Sequence, residues 1–98
     1  MNRYQYFVYI MSNWSNKVLY VGVTNNIRTR AISHMGGFGS KFTTKYRVIK
    51  LVYFEIFDDV IEAIKREKQL KAGSRQKKIT LINNLNPHWK DLALKIIF

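Results

Sequence analysis

The chain has 98 residues, no cysteine and a formal charge of +11. This length accommodates one domain with a modest core, and the lack of cysteine excludes disulfides and thiolate metal sites and suits a reducing cytoplasm. No apolar run approaches the roughly 20 residues of a membrane span, so a cytoplasmic protein without membrane contact is expected. Seventeen Lys and Arg against six Asp and Glu indicate a polyanionic partner, with a merely solvated surface as the alternative.

The charge is distributed unevenly along the chain. Residues 28–50 hold six basic residues and no acidic one, and residues 65–78 hold seven basic residues against Glu67 alone. Four of the six acids lie together between these blocks. Lys and Arg bind nucleic acid by neutralising phosphates. The candidate nucleic-acid contacts are therefore basic residues of the two blocks: Arg28, Lys41, Lys45, Arg47, Lys71, Arg75, Lys77 and Lys78.

The first half of the chain predicts two strands and a helix. Residues 4–11 read YQYFVYIM, are aromatic and β-branched, and end at a polar loop, SNWSNK. Residues 18–23, VLYVGV, form the second strand. The TNN sequence then supplies N-cap candidates for a helix with Ile27, Ala31 and Met35 at helical spacing. The glycine-rich GGFG sequence ends this helix.

The second half predicts one strand and two helices. The third strand is VIKLVYFEIF, residues 48–57. Asp59 is the N-cap of the helix VIEAIKREKQLKAG, which Gly73 closes, and Ser74 caps a further helix, RQKKITLINNL. Together the elements predict a single α/β domain, residues 1–98, with a small three-stranded, mostly antiparallel sheet flanked by helices.

Two tyrosines are predicted to meet across the first two strands. A hairpin closed by the six-residue loop 12–17 places Tyr9 opposite Tyr20 on one face of the sheet. The simpler interpretation is an aromatic pair that only packs. Trp14 in this loop and Trp89 near the end of the chain are likewise interpreted as packing residues.

The connection between the first predicted helix and the third predicted strand combines basic and aromatic residues. Residues 35–47 interleave three basic residues with three aromatic ones: Phe38, Lys41, Phe42, Lys45, Tyr46 and Arg47. Cations for phosphates and rings for bases recur in proteins that bind single strands and junctions. An ordinary connecting loop with a few core anchors is the competing interpretation.

Both helices that follow the strands carry polar residues at informative positions. Arg30 and His34 are four residues apart and share a helix face, whereas Arg28 points about 160° away from Arg30. The inward stripe of the second helix is predicted to comprise Val60, Ala63, Ile64, Leu70 and Lys71. Glu67 occupies the position that should continue this stripe. Its carboxylate is therefore either paired with a buried basic group or available to a hard divalent cation.

These residues together resemble the GIY-YIG nuclease superfamily. Tyr9 lies in VYI and Tyr20, eleven residues later, in YVG; Arg30 and His34 follow ten and fourteen residues after Tyr20, and Glu67 closes EAIKRE. Five positions in this order are similar to the small stand-alone bacterial branch of that superfamily. Val23 stands where some members have lysine, and Ile79 where many have asparagine. Asn86 is the candidate substitute for that asparagine.

The resemblance implies a metal-dependent endonuclease that hydrolyses phosphodiester bonds, with DNA as the expected substrate. It implies that Glu67 holds one divalent metal, Mg²⁺ (or Mn²⁺), and that Tyr20 positions or deprotonates the attacking water beside Tyr9. It further implies that Arg30 stabilises charge on the phosphoryl oxygens and that His34 takes a proton from Tyr20 or orients it. Two alternatives stay open: a nucleic-acid-binding module that cuts poorly or not at all, and an interaction domain of a DNA repair complex.

Overall fold

The computed structural model describes residues 5–35 and 45–97. Its elements are β1 (Tyr6–Ser12), β2 (Leu19–Thr24), α1 (Ile27–Met35), β3 (Lys50–Phe57), α2 (Val60–Ala72), α3 (Arg75–Leu85) and α4 (Ala93–Ile97). The three strands form one sheet in the order β2-β1-β3, and both pairings are antiparallel. The predicted α/β class with a small, helix-flanked sheet is confirmed, and the strands begin one or two residues later than predicted.

The sheet separates two hydrophobic cores. The central strand β1 is buried on both faces, because its alternate side chains enter different cores. The core on one face packs under α2 and α3 and comprises Val8, Ile10, Val21, Val52, Tyr53, Ala63, Leu70 and Ile82. The core on the other face packs under α1 and α4 and comprises Tyr9, Met11, Ile27, Ala31, Val48, Leu51 and Ala93.

Polar caps begin the three longer helices. Asn26 Oδ1 accepts from the N–H of Thr29 at 3.0 Å and so caps α1. The predicted caps of the later helices are confirmed: Asp59 accepts from Ile61, Ser74 accepts from Lys77, and Gly73 closes α2. Each side-chain cap satisfies an N–H that the first helical turn leaves without a partner. Within residues 5–35 and 45–97, no helix combines the length and the apolar character needed to cross a bilayer.

The hairpin register differs from the predicted one. Tyr9 lies opposite Gly22, and Tyr20 lies opposite Met11. The prediction that the two tyrosines face each other directly is therefore wrong by two residues. Because side chains alternate with a period of two, a two-residue shift keeps both tyrosines on the same face of the sheet. They are diagonal neighbours rather than a directly opposed pair.

The side chain of Asn13 explains this register. Its Oδ1 accepts from the backbone N–H groups of Lys17 and Val18, at 3.0 and 3.2 Å. These bonds draw Val18 into the loop, so that β1 runs on to Ser12 and β2 begins at Leu19. The loop keeps its predicted length of six residues but is displaced by one position at each end.

The C-terminal segment protects the outer edge of β3. A bulge leaves Val52 as an extra residue between the Tyr53 and Leu51 pairings with β1, and Asn86 Nδ2 donates to the carbonyl of Val52 at 3.0 Å. Asp91 Oδ1 accepts from the N–H of Leu51 at 3.1 Å, and the next N–H along the segment donates to the Leu51 carbonyl at 2.7 Å. Backbone groups that an edge strand would expose are thereby satisfied.

Asn86 therefore has a structural role. Its side chain is 6% exposed. Besides the bond to Val52, its amide donates to the carbonyl of Lys90 at 2.8 Å and accepts from the Lys90 N–H at 3.0 Å. The sequence interpretation of Asn86 as a substitute active-site asparagine is not supported, because its amide is committed to the bulge and to the turn that follows α3.

Candidate active site at the β2 edge of the sheet

The phenol of Tyr9 lies directly over Gly22 of β2. A Cβ atom at Gly22 would lie 2.4 Å from both Cζ and Oη of Tyr9, far closer than two such atoms can approach. Tyr9 is 2% exposed, so its ring has no room to retreat. Gly22 is therefore required by the path of the Tyr9 side chain, which crosses from the central strand toward the edge strand β2.

Tyr20 lies beside Tyr9 on the same sheet face. The centroids of the two rings are 6.3 Å apart and their planes are inclined by 42°. Tyr20 is half-buried and lines a shallow groove of about 300 Å³ along the edge of β2. Lys71 of α2 and Lys78 of α3 line the same groove. The more accessible of the two tyrosines thus borders a groove with basic walls.

Arg30 and Glu67 both act electrostatically on the Tyr9 phenol. Burial raises the pKa of Tyr9 above its ordinary value, the neighbouring Tyr20 and the Glu67 carboxylate raise it further, and the Arg30 guanidinium opposes them. Arg30 belongs to α1 on one face of the sheet and Glu67 to α2 on the other. The charges of Arg30 and Glu67 thus converge on the Tyr9 phenol, whose ring crosses Gly22 toward the edge strand.

Glu67 is shielded but has a weak partner. Its side chain is 16% exposed, and one carboxylate oxygen lies 3.3 Å from Nζ of Lys71, which is 53% exposed. The predicted inward stripe of α2 is partly wrong: Ala63 and Leu70 are buried, but three of its members are exposed, namely Val60, Ile64 and Lys71. The helix is rotated so that Glu67 is more shielded than these three residues and close enough to act on the Tyr9 phenol.

A metal ion at this site would depend on substrate and water. Among the residues that the structure describes, no group of three His, Cys, Asp or Glu side chains is close enough to hold a metal. A single shielded carboxylate nevertheless fits Mg²⁺, which retains several waters and takes further oxygens from substrate phosphate. The donor chemistry at Glu67 thus fits a loosely held Mg²⁺ or Mn²⁺ and does not fit a permanent structural metal.

Other predicted site residues fall outside this convergence or outside the described structure. His34 lies in α1, but its side chain is not among those described, and Lys41 lies in the undescribed segment 36–44. Arg28 is exposed on the same helix as Arg30, and its charge is not among those that act on Tyr9.

The remaining candidate nucleic-acid contacts form two groups. Lys45 and Arg47 are exposed, and Lys45 Nζ lies 5.3 Å from the centroid of the Tyr46 ring. Lys77 and Lys78 line a groove of about 410 Å³ between α2 and α3. Lys78 reaches both this groove and the one beside Tyr20, and its Nζ donates to the Gly73 carbonyl at 3.0 Å. The second group thus continues the basic surface away from the tyrosines.

The sequence interpretation missed one feature of this surface. Trp14 does not pack: it is 66% exposed at the tip of the β1–β2 hairpin. Trp89 is half-buried and its indole N–H donates to Asn83 Oδ1 at 2.7 Å, as expected of a packing residue. The neighbouring SNWSNK residues are polar, and this polarity was the available signal that Trp14 has no apolar surroundings.

Comparison with known proteins agrees with this geometry. Residues 5–80 match the GIY-YIG catalytic domain. The matched stretch contains both tyrosines, Gly22, Arg30 and Glu67. The chain therefore belongs to the GIY-YIG family, whose members are typically nucleases.

Its relatives within that family are small proteins of similar length. It is 42% identical over 79 residues to a UPF0213 protein of Staphylococcus saprophyticus, covering 81% of this chain and 95% of the relative. A UPF0213 protein of Syntrophus aciditrophicus is 43% identical over 82 residues, covering 83% and 92%. The solution NMR structure of a UPF0213 protein from Bacillus halodurans superposes with a TM-score of 0.57 at 28% identity, covering 89% of this chain and 92% of that one.

Proposed function

We propose that this protein is a metal-dependent endonuclease that hydrolyses phosphodiester bonds in DNA at the free edge of β2. The observation that carries the proposal is the Tyr9 phenol, which lies over Gly22 and is acted on by the opposite charges of Arg30 and Glu67. The basic walls of the adjacent groove supply charge for the phosphate backbone.

The two tyrosines would divide the work at the attacking water. Burial raises the pKa of Tyr9 further above neutral pH, so its phenol would serve as a hydrogen-bond donor and is poorly suited to act as a base. Tyr20 is more accessible than Tyr9, so it would be the residue that orients the water and passes on its proton. Tyr9, whose ring lies beside that of Tyr20, would hold the Tyr20 ring in position.

Charge on the phosphate would be stabilised from two sides. Arg30 carries a permanent charge with forked donors suited to phosphoryl oxygens. Glu67 would hold Mg²⁺ or Mn²⁺, which supplies Lewis-acid stabilisation of those oxygens when bound. Lys71 now neutralises Glu67, and because this exposed ion pair is weak, a divalent ion can replace it at small cost.

Cleavage of labelled single-stranded, duplex and branched DNA, with Mg²⁺ or with EDTA, tests the proposal. We expect cleavage with Mg²⁺ only, and a rate about 10²-fold or more lower in Tyr20→Phe, which loses the proton-handling hydroxyl but keeps the ring. Tyr6→Phe is the matched control, because Tyr6 is a half-buried tyrosine of β1 that packs on the opposite core. Wild-type rates in Tyr20→Phe, or cleavage in EDTA, would refute the proposal.

A second candidate function is a nucleic-acid-binding module with the same fold and little activity. Asn86 favours it, because its amide is committed to the β3 bulge and cannot replace the asparagine that many family members carry where this chain has Ile79. Binding of all three DNA forms without any Mg²⁺-dependent cleavage is the result expected of this candidate.

A further inference from the structure

Trp14 is a large aromatic side chain that lies mostly in solvent. Tryptophan is on average highly buried. Here 66% of it is exposed at the hairpin tip, away from both hydrophobic cores. Nζ of Lys50 lies 5.5 Å from the centroid of the ring. With a cation against one side, the large exposed area leaves the rest of the indole open to solvent.

The loop that carries Trp14 is held from three directions. Asn16 adopts a left-handed backbone conformation, with φ of 61°, and its N–H donates to the Asn13 carbonyl at 3.0 Å. Its Oδ1 accepts from Lys50 Nζ at 2.6 Å, and its carbonyl accepts from Arg75 at 2.8 Å. Lys50 is only 5% exposed, so this lysine is buried in order to hold the loop. Trp14 is thus presented on a fixed support.

The same contacts connect Trp14 to the candidate active site. Arg75 begins α3, and Lys78 in the next turn lines the groove beside Tyr20. The hairpin register places the loop tip about three residues beyond Tyr20, or about 10 Å at 3.3 Å per residue. That separation corresponds to about three nucleotide steps of 3.4 Å, and to fewer in an extended strand. A DNA strand that follows the edge of β2 toward the hairpin tip would therefore reach Trp14 shortly after the tyrosines.

We propose that Trp14 is a stacking platform for an unpaired base close to the scissile phosphate. The surface combines a mostly exposed indole, with Lys50 beside its ring, and Arg75 bonded to the same loop, and aromatic rings near cations are a means by which proteins bind single-stranded nucleic acid. A base inside a duplex has no free face to stack. The inference rests on the proposed function for the position of the cut, and it narrows the substrate to DNA with an unpaired region, either a free strand or a branch.

Binding measured in EDTA, at one salt concentration, tests this independently of cleavage. The ligands are a single strand, a duplex with a single-stranded flap, and a blunt duplex. We expect Trp14→Ala to weaken binding of the unpaired ligands about tenfold and of the blunt duplex less than twofold, with Trp14→Phe in between. Ile61→Ala is the control, because Ile61 is a 60% exposed apolar residue of α2 beside the acidic cluster. An equal loss on all three ligands, or no loss, overturns the inference.

Fluorescence gives a second measurement that does not depend on affinity. In Trp89→Phe protein, Trp14 is the remaining tryptophan, and an oligothymidine strand should quench its emission while a blunt duplex should not. In the binding experiment, a loss by Trp14→Ala confined to the flap duplex would mean that the stacked base belongs to a branch. A loss on both the flap duplex and the single strand would mean that any unpaired strand provides it. Absence of quenching, together with a wild-type dimer that Trp14→Ala converts to a monomer, would overturn the inference and assign the ring to a protein contact.

The outcome is separable from that of the proposed function. If no substrate is cleaved with Mg²⁺ but the preference of Trp14 for unpaired ligands holds, the endonuclease proposal fails and the stacking site stands. If cleavage is normal and Trp14→Ala cuts all three ligands as fast as wild type with unchanged binding, the stacking site fails and the endonuclease stands.

Discussion

Two carboxylates of similar shielding, Glu55 and Glu67, have opposite surroundings. The Glu55 side chain is 22% exposed and that of Glu67 is 16% exposed. Glu55 accepts two bonds from Arg66, both at 2.9 Å, and a further bond from the hydroxyl of Tyr53. Glu67 has Lys71 at 3.3 Å, on a side chain that is mostly in solvent. One carboxylate is saturated by fixed donors, and the other is neutralised by a mobile one.

This difference indicates which of the two carboxylates can exchange its basic partner for a metal ion. Without Glu55, the Arg66 guanidinium and the Tyr53 phenol would each lose a hydrogen-bond partner while still shielded from water. This network therefore stabilises the packing of α2 on β3, and it leaves no room for a metal at Glu55. An exposed lysine one helical turn away contributes little and releases its acid readily. Shielding alone therefore does not identify a functional carboxylate, and the strength of its partners does.

The largest expected effect separates the two acids by what each change damages. Glu67→Gln should lower the Mg²⁺-dependent cleavage rate about 10²-fold or more and leave the melting temperature nearly unchanged, since a weak surface pair is lost. Glu55→Gln should lower the free energy of unfolding by about 1–3 kcal/mol, and the melting temperature by several degrees, while the folded enzyme cuts normally. The comparison fails if both variants lose activity in proportion to their loss of stability.

The second prediction concerns how tightly the Tyr9 ring packs against Gly22, compared with the tight bonds of the Glu55 network. Gly22→Ala should cost about 1–3 kcal/mol of stability, because its Cβ would meet the Tyr9 ring at 2.4 Å. Gly73→Ala is the control: its Cβ would meet backbone oxygens at 3.4 Å, and its φ of −72° suits alanine. Denaturant unfolding should show the Gly22→Ala cost disappearing in a Tyr9→Ala background. An equal cost in both backgrounds would mean that another contact is responsible.

The third prediction uses acid to measure what the Glu55 network contributes to stability. Burial by itself would raise the pKa of Glu55, but the bonds from Arg66 and Tyr53 outweigh it and hold this pKa below its usual range. A lowered folded-state pKa contributes stability above the unfolded-state value and loses it as pH falls through the folded-state value. Unfolding free energies from pH 6 to pH 3 should therefore fall less steeply in Glu55→Gln than in wild type.

A matched variant guards that measurement. Lys71→Met does not touch the Glu55 network, so its stability should decrease with acid as steeply as that of wild type. An unchanged slope in Glu55→Gln would show that other groups dominate acid unfolding.

The smallest change is expected for Lys71, which would compete with Mg²⁺ for the Glu67 carboxylate. Lys71→Met should lower the Mg²⁺ concentration for half-maximal cleavage about twofold, as expected for loss of an exposed ion pair worth about 0.3–0.5 kcal/mol. The assay uses saturating DNA, because Lys71 also lines the groove beside Tyr20. Lys68→Met, an exposed lysine of the same helix, should leave the Mg²⁺ requirement unchanged. A higher Mg²⁺ requirement in Lys71→Met would mean that Lys71 supports the metal rather than competing with it.

Local chemistry predicted the parts of the fold that depend on a few neighbouring residues. Asp59, Gly73 and Ser74 were recognisable caps because each satisfies groups in its own helix end. The hairpin register was not predictable from strand composition, since it depends on which N–H groups the Asn13 side chain selects. The site residues were recognisable as a set by their order and spacing along the chain, whereas their convergence at the β2 edge depends on how Tyr9 crosses Gly22.

Tertiary placement accounts for the remaining errors. Val60 and Ile64 have the spacing of an inward stripe, but the rotation of α2 is set by Ala63 and Leu70 against the sheet, and this leaves them exposed. The role of Asn86 requires the bulge at Val52, which no pattern in β3 announces. Trp14 is exposed because the polar loop around it offers no apolar surface to cover an indole.

The bonds between the C-terminal segment and β3 also bear on aggregation. The GIY-YIG match ends at residue 80, whereas the groups that cover the edge of β3 come from residues 86–92. Without them, backbone groups of Leu51 and Val52 would lie open within a strand rich in β-branched and aromatic residues, a template on which further strands can add. The segment beyond the matched domain therefore covers backbone groups to which a further strand could otherwise add.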